Sequence, residues 1–392
     1  MKKKRKKKYG HMKKWSAFLL LALLILIIFA AVFGIFKILT APKSEQKSTQ
    51  PPRTDIRAAV SLIPPKRDVV IRMYLPDVIY PDRDGDVVAL TDSIESSHAI
   101  LIDLDNHTVL ADKKSEEIIY PASMTKLMTL IVAIEQTEDL TQTFTMTDEI
   151  LAPLYAQNAS MAGFQSGEEC TILDLLYGAA LPSGGDATAA LAKHIAGSEE
   201  GFVQLMNEKV AELQLRNTHF TNPTGLHDPD HYSTVTDIAL ILDYCMQNEL
   251  CRQIISTYTY QTEPSPQSPE GITMYSTMLS RMYGTEVEGI TIRGGKTGFT
   301  DEAGNCLASY AQTPDGHTYL AVTAGGITKW KPVFDAFKLY GIVTGTYPMD
   351  TVGDEKSDPN ALSPDQVQQA PQNTEQEETE QTENTEETGD ET

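Results

Sequence analysis

The 392-residue chain holds 54 acidic and 32 basic residues, a formal net charge of −22. An excess of negative charge that large argues against a nucleic-acid partner for the chain as a whole. Its four cysteines, Cys170, Cys245, Cys251 and Cys306, show no Cys-x-x-Cys spacing, so neither a zinc ribbon nor a thioredoxin-type motif is indicated.

The charge is split along the chain. Residues 1–14 form a basic head. Residues 15–38 follow as an anchor whose core, residues 17–36, is an uninterrupted apolar stretch of the length needed to cross a bilayer, with Trp15 at its near edge. The positive-inside rule puts the head in the cytoplasm and everything after Ile38 outside the cell membrane. A cleaved signal peptide would have a shorter apolar region and a better small-x-small site than Ala30-Ala31 or Thr40-Ala41 offers, so a single-pass anchor is expected. Outside the cell a disulfide becomes possible; four cysteines allow three full pairings, and the sequence does not choose among them.

Residues 39–90 read as a stalk and lead-in segment, marked by Pro42, Pro51, Pro52, Pro64 and Pro65. A strand over residues 68–75 is expected there. Asp82-Arg83-Asp84-Gly85-Asp86 invites a calcium reading, but its acids miss the EF-hand offsets, and a turn is the better expectation.

A folded domain is expected over residues 91–345. Residues 98–103 alternate as a strand, Asp105-Asn106-His107 make a turn, and residues 108–110 return. Leu127, Leu130, Ile131 and Ile134 then repeat with helical spacing, so a buried helix starts near Ser123, just after Pro121. Residues 168–176 lead into a second helix. Helical patterns continue over residues 187–195, 202–215 and 237–246. Strand patterns return at residues 290–292, 306–311 and 318–323, and a closing helix covers residues 330–340. Strands from both ends of the domain thus flank a helical middle, which predicts an α+β fold with a helical cluster packed on a sheet. Residues 346–392 are rich in Glu, Thr, Gln and Asn with almost no apolar residues, and form a solvated acidic tail.

Three short motifs carry chemistry. In Ser123-Met124-Thr125-Lys126 the helical spacing puts Ser123 and Lys126 on one face. A serine hydroxyl needs a base, and a lysine is one only if burial or a neighbouring cation lowers its pKa. Alone the pattern is weak, since Ser44-Glu45-Gln46-Lys47 also fits and Ser123 could simply cap a helix. The second motif is Ser183 in Pro182-Ser183-Gly184-Gly185-Asp186, and the third is Lys296-Thr297-Gly298-Phe299 beside a strand.

Ser-x-x-Lys, a turn serine and Lys-Thr-Gly, in that order, form the set shared by penicilloyl serine transferases and class A β-lactamases. Ser123 would attack a carbonyl, Lys126 relay its proton, and Ser183 pass protons toward the leaving amine. Lys296 would set a second cation near Lys126 and, with Thr297, grip a substrate carboxylate. Gly294, Gly295 and Gly298 would let a substrate backbone lie along the strand, with the N–H groups of Ser123 and Phe299 as oxyanion donors.

Residues 97–341 resemble the serine-type D-alanyl-D-alanine carboxypeptidases, the low-molecular-mass penicillin-binding proteins. Beyond the three motifs, the resemblance rests on Ala159-Ser160-Met161, Asp174-Leu175-Leu176-Tyr177-Gly178, Asn222-Pro223-Thr224-Gly225-Leu226, His231-Tyr232-Ser233-Thr234 with Asp237, and Thr300-Asp301-Glu302-Ala303-Gly304. It implies a transpeptidase-like fold, no cofactor and no metal, and acyl-enzyme chemistry on peptidoglycan stem peptides, with β-lactams as inhibitors. Ser123, Lys126 and Ser183 inherit catalytic roles, and Lys296, Thr297, Gly298 and Phe299 inherit substrate contacts. The chain departs from the family at Gly185, where an Asn is usual.

Three rival readings remain. A β-lactamase needs a carboxylate base between the second and third motifs; Glu212 is the nearest, on the exposed face of a helix. A zinc peptidase could use His227 and His231, but Asp228-Pro229-Asp230 between them forbids a regular helix. A wall-binding protein that has lost catalysis is suggested by Gly185 alone.

Overall fold

The computed structural model describes residues 79–83, 85–282 and 287–347. The expected anchor, the stalk with its strand, and the acidic tail beyond residue 347 lie outside the described residues. Among the described residues no helix is long and apolar enough to cross a membrane.

Strands come from both ends of the domain. β1 (Val88–Ala89), β2 (His98–Asp103) and β3 (Thr108–Lys113) open it. The helical middle begins with α1 (Lys126–Glu135), entered through a 3-10 turn, Ala122–Thr125. A short pair, β4 (Thr143–Thr145) with β5 (Glu169–Thr171), brackets α2 (Asp148–Ala156). Then come α3 (Ile172–Ala180), α4 (Gly185–Ala196), α5 (Glu199–Glu212), α6 (Val235–Gln247) and α7 (Glu249–Ile255). A second pair, β6 (Thr259–Gln261) with β7 (Thr273–Tyr275), precedes α8 (Thr277–Met282). β8 (Thr291–Thr300), β9 (Gly304–Gln312), β10 (Thr318–Gly326) and α9 (Lys331–Thr344) close the domain.

The main sheet runs β1-β3-β2-β10-β9-β8. All its pairings are antiparallel except β1 with β3. Alternate residues face opposite sides. Leu101, Ala111, Leu307 and Ala321 join Val333, Phe337 and Tyr340 of α9 in one buried cluster. The intervening Ile100, Ile102, Leu320 and Val322 are buried too, and α6 packs against β2, β9 and β10. Helix α1 is buried from Lys126 to Ala133, which accounts for its nearly all-apolar sequence. The cap of α3 is a full capping box between Thr171 and Asp174.

Two boundaries differ from the sequence expectation. The third motif sits inside β8, not beyond a strand ending near residue 292, and β8 is bulged between Ile292 and Gly294. The packed body also takes in residues placed in the lead-in segment. The Tyr80 hydroxyl donates to Asp237 Oδ1 at 2.6 Å and accepts from the Arg216 N–H at 2.8 Å, with the Arg216 guanidinium 3.7 Å over its ring. Arg83 pairs with Asp112 at 2.7 Å and Glu116 at 2.9 Å. Asp82, where the sequence expects a turn to begin, lies in a parallel bridge with Thr108.

Cys245 and Cys251 form a disulfide, while Cys170 and Cys306 are free and buried, so one pairing exists where the sequence left three full pairings open.

Candidate active site

Pro121 leads into the 3-10 turn, and the chain passes without a break into α1. This places Ser123 at the surface edge of the turn and Lys126 as the first residue of the buried helix. The Lys126 Nζ donates to Ser123 Oγ at 3.0 Å and to the Thr224 carbonyl at 2.5 Å. Burial disfavours the ammonium and lowers the Lys126 pKa to about 7, with the Asp186 carboxylate opposing the fall. An amine in that range is a competent base at neutral pH.

Ser183 lies between α3 and α4 with a left-handed backbone, φ 68°, unusual for a residue with a side chain. Its hydroxyl accepts from Lys296 Nζ at 2.9 Å, and the same Nζ donates to the Thr297 carbonyl at 3.0 Å. An ammonium has three donors, so one remains for a ligand. Burial, then the nearby charges of Lys126 and Arg281, hold Lys296 well below the usual lysine range. The Thr297 hydroxyl bonds that of Thr277 at 2.9 Å, which ties the third motif to α8.

β8 approaches the nucleophile at Gly298. A Cβ there would lie 3.0 Å from the Pro121 carbonyl and 3.1 Å from the Ser123 nitrogen, so only glycine lets strand and turn meet this closely. Phe299, the next residue, is 58% exposed and stands free for contact with a ligand. All seven sequence-predicted residues thus fall on the 3-10 turn and the first residue of α1, the loop before α4, and β8, which meet.

Several contributing residues were missed by sequence reasoning. Asp186, fully buried, accepts from the N–H groups of Ala162 (2.8 Å), Gly163 (3.1 Å), Phe164 (3.3 Å) and Ala187 (2.9 Å). It holds the segment after α2 against α4 and supplies the negative charge that opposes the fall in the Lys126 pKa. Its position directly after the second motif was the available signal. The Thr224 carbonyl, a main-chain group, has no side-chain signature at all.

At Gly185 the N–H donates to the Ser160 carbonyl at 2.6 Å. A Cβ at that position would meet Leu154 Cδ2 at 3.3 Å and the Ser160 carbonyl at 3.4 Å. The space beside Gly185 is therefore already occupied by the chain that follows α2.

The rivals fare worse. Glu212 is ion-paired with Lys209 at 2.7 Å, and Lys209 also binds Glu135 at 2.6 Å, at the far end of α1 from Lys126. Nine residues of helix separate Glu135 from Lys126, about 13 Å. His231 is buried with Nε2 2.8 Å from Thr125 Oγ1, and its Nδ1 accepts from the Thr221 N–H at 3.1 Å. Both His231 nitrogens are thus taken, while His227 packs edge-on against Tyr120 with centroids 4.6 Å apart.

The comparisons agree with this geometry. A family model described as D-alanyl-D-alanine carboxypeptidase (Peptidase S11) matches residues 86–326. The D-alanyl-D-alanine carboxypeptidase DacF of Bacillus subtilis is 36% identical over 222 residues, 56% of this chain and 54% of that protein. DacA of Escherichia coli, a D-alanyl-D-alanine carboxypeptidase, is 31% identical over 239 residues, 59% of this chain and 57% of that protein. This chain spans about half the length of these relatives. The crystal structure of the Streptomyces K15 DD-transpeptidase superposes with a TM-score of 0.59 at 27% identity, covering 64% of this chain and 98% of that one. With the family model spanning well over half its length, the chain belongs to the D-alanyl-D-alanine carboxypeptidase (Peptidase S11) family.

Proposed function

We propose that the protein is a serine D-alanyl-D-alanine carboxypeptidase that removes the terminal D-Ala from peptidoglycan stem pentapeptides through an acyl-enzyme on Ser123. The observation that carries this reading is the pair of buried lysines: Lys126 Nζ 3.0 Å from Ser123 Oγ, and Lys296 Nζ 2.9 Å from Ser183 Oγ. The stem's terminal carboxylate takes the remaining donor of Lys296 and the hydroxyl of Thr297. That carboxylate favours the charged form of Lys296, and the restored positive charge pushes Lys126 toward the neutral amine. Substrate arrival thereby helps to prepare the base.

Ser123 Oγ then bonds to the carbonyl carbon of the penultimate D-Ala while Lys126 accepts the hydroxyl proton. The tetrahedral oxyanion rests on backbone N–H groups of Ser123 and Phe299. As the C–N bond breaks, a proton passes from Lys126 through Ser183 to the departing D-Ala amine. Water, deprotonated by Lys126, attacks the ester and releases the tetrapeptide. β-lactams enter the same cycle and stall at the ester. The basic head followed by the long apolar stretch supports a single-pass anchor that holds this domain outside the cell membrane.

The test is intact-mass measurement after incubation with penicillin, with peptide mapping, alongside D-Ala release from a stem pentapeptide. One penicilloyl adduct on the Ser123 peptide, slow to hydrolyse, and loss of both activities in Ser123→Ala are expected. D-Ala release that survives Ser123→Ala would overturn the assignment, and rapid penicillin turnover would indicate a β-lactamase.

A further inference from the structure

The Asn222–Leu226 segment is distinctive in sequence yet takes no part in the three motifs. It lies directly on them. The Thr224 carbonyl accepts from Lys126 Nζ at 2.5 Å. That carbonyl is aimed by one side chain. Asn222 Oδ1 accepts from the Gly225 N–H at 2.7 Å, the Thr224 N–H at 3.2 Å and the Thr224 hydroxyl at 2.8 Å. Its Nδ2 donates to the Leu226 carbonyl at 2.9 Å. The amide therefore closes a tight turn around Thr224, and Nδ2 makes one further bond to Thr221 Oγ1 at 3.3 Å.

The turn is fastened to the helix that bears Lys126 and to the 3-10 turn that bears Ser123. The Thr129 hydroxyl, on α1, donates to the Pro223 carbonyl at 2.7 Å. Thr125, between Ser123 and Lys126, bonds His231, which in turn accepts from the Thr221 N–H. Gly225 has φ +82° and sits so close to the Ala122 carbonyl that a Cβ there would overlap it. Gly185, where the family usually carries an amide, offers Lys126 no side-chain acceptor.

We infer that Asn222 is a positioning residue for catalysis: it fixes the Thr224 carbonyl as the acceptor that orients the Lys126 amine, in place of the side chain absent at position 185. A neutral amine has two N–H bonds and one lone pair. With one N–H held by Thr224, the lone pair can face the Ser123 hydroxyl, as proton transfer requires. This inference rests on the carboxypeptidase reading for its effect on rate, but not for its effect on Lys126 itself.

The charged and titratable groups around Lys126 are Asp186 from α4, Lys296 from β8 and His231 from the loop before α6. Burial lowers His231 to about 4, so it stays neutral over the useful range. The carbonyl favours a protonated amine, so its loss should ease deprotonation while it disorders the lone pair. The two effects have opposite signs in a pH profile, which a merely structural defect would not produce.

The experiment uses the full chain and its Asn222→Ala and Asn222→Asp variants. Acylation rate with a fluorescent penicillin is read from pH 5.5 to 9, thermal melts report folding, and 13C NMR of Cε-labelled lysine follows the Lys126 titration. For Asn222→Ala the expected result is a plateau about 10–100-fold lower, with the acid limb and the Lys126 titration both moved to lower pH. Asn222→Asp keeps the accepting oxygen and adds negative charge; its plateau should recover to within several-fold of the unsubstituted protein, with the acid limb moved up. A folded Asn222→Ala protein with an unchanged plateau and unchanged Lys126 titration overturns the inference. So does equal loss in both variants in proportion to the unfolded fraction. If the unsubstituted protein forms no adduct, the carboxypeptidase reading fails, and the Lys126 titration alone still decides the role of Asn222.

Discussion

Replacing Lys126 with methionine should abolish acylation and, at neutral pH, make the protein more stable. The side chain is 3% exposed, and its pKa falls from 10.5 to about 7 on folding. A fall of that size costs the folded state about 4–5 kcal/mol at pH 7, at about 1.4 kcal/mol per pH unit. Against this, the variant loses the hydrogen bond to Ser123, about 1 kcal/mol, and leaves the Thr224 carbonyl without its donor at about 1–3 kcal/mol. The net expectation for Lys126→Met is a gain of about 0–3 kcal/mol at pH 7. The sign reverses with alkali. Between pH 7 and 10.5 the unfolded lysine holds a proton that the folded one has released, so the unsubstituted protein gains stability as pH rises. Urea unfolding of both proteins at pH 7 and pH 9 should show the advantage of the variant shrinking by about 2 kcal/mol. The other titrating groups are common to both, save that Lys296 and His231 lose the Lys126 charge that helps to hold them down. An advantage that does not change with pH, or a variant less stable at both values, would refute the argument that burial, only partly offset by the Asp186 charge, tunes this amine.

Gly298→Ala must push β8 away from the turn that bears Ser123, and acylation should fall about 10–100-fold with only a few degrees lost in thermal melting. Asp186→Asn removes the negative charge that opposes desolvation of Lys126, so the acid limb of acylation should move to lower pH; it also sets an amide against four N–H donors, at about 2–4 kcal/mol in urea unfolding. Removing the Cys245–Cys251 bridge by double alanine substitution opens a short loop, and about 2–3 kcal/mol should be lost with no change in the acylation rate.

The parts legible in the sequence are those whose signal is local. The β2–β3 hairpin shows as alternation around Asp105-Asn106-His107, and α1 as a buried apolar run behind Ser123. The three motifs are legible because each needs particular side chains at fixed offsets. What was hidden is of two kinds. Two-strand pairs such as β4–β5 and β6–β7 are three residues long and carry no periodicity to read. The bonds that orient Lys126 come from elsewhere: a main-chain carbonyl from a loop nearly a hundred residues on, and the charge of Asp186, whose importance depends on the burial around it.

A ribosome delivers this chain from its amino end, and the strand that stitches the sheet together is the last to emerge. β10 lies between β2 and β9, so the opening hairpin and the strand bearing Lys296 share no pairing until residues near 326 have been made. Until then Lys296, on β8, has no sheet pairing that ties it to the hairpin. On the carboxypeptidase reading, a chain cut short before β10 should therefore form no acyl-enzyme.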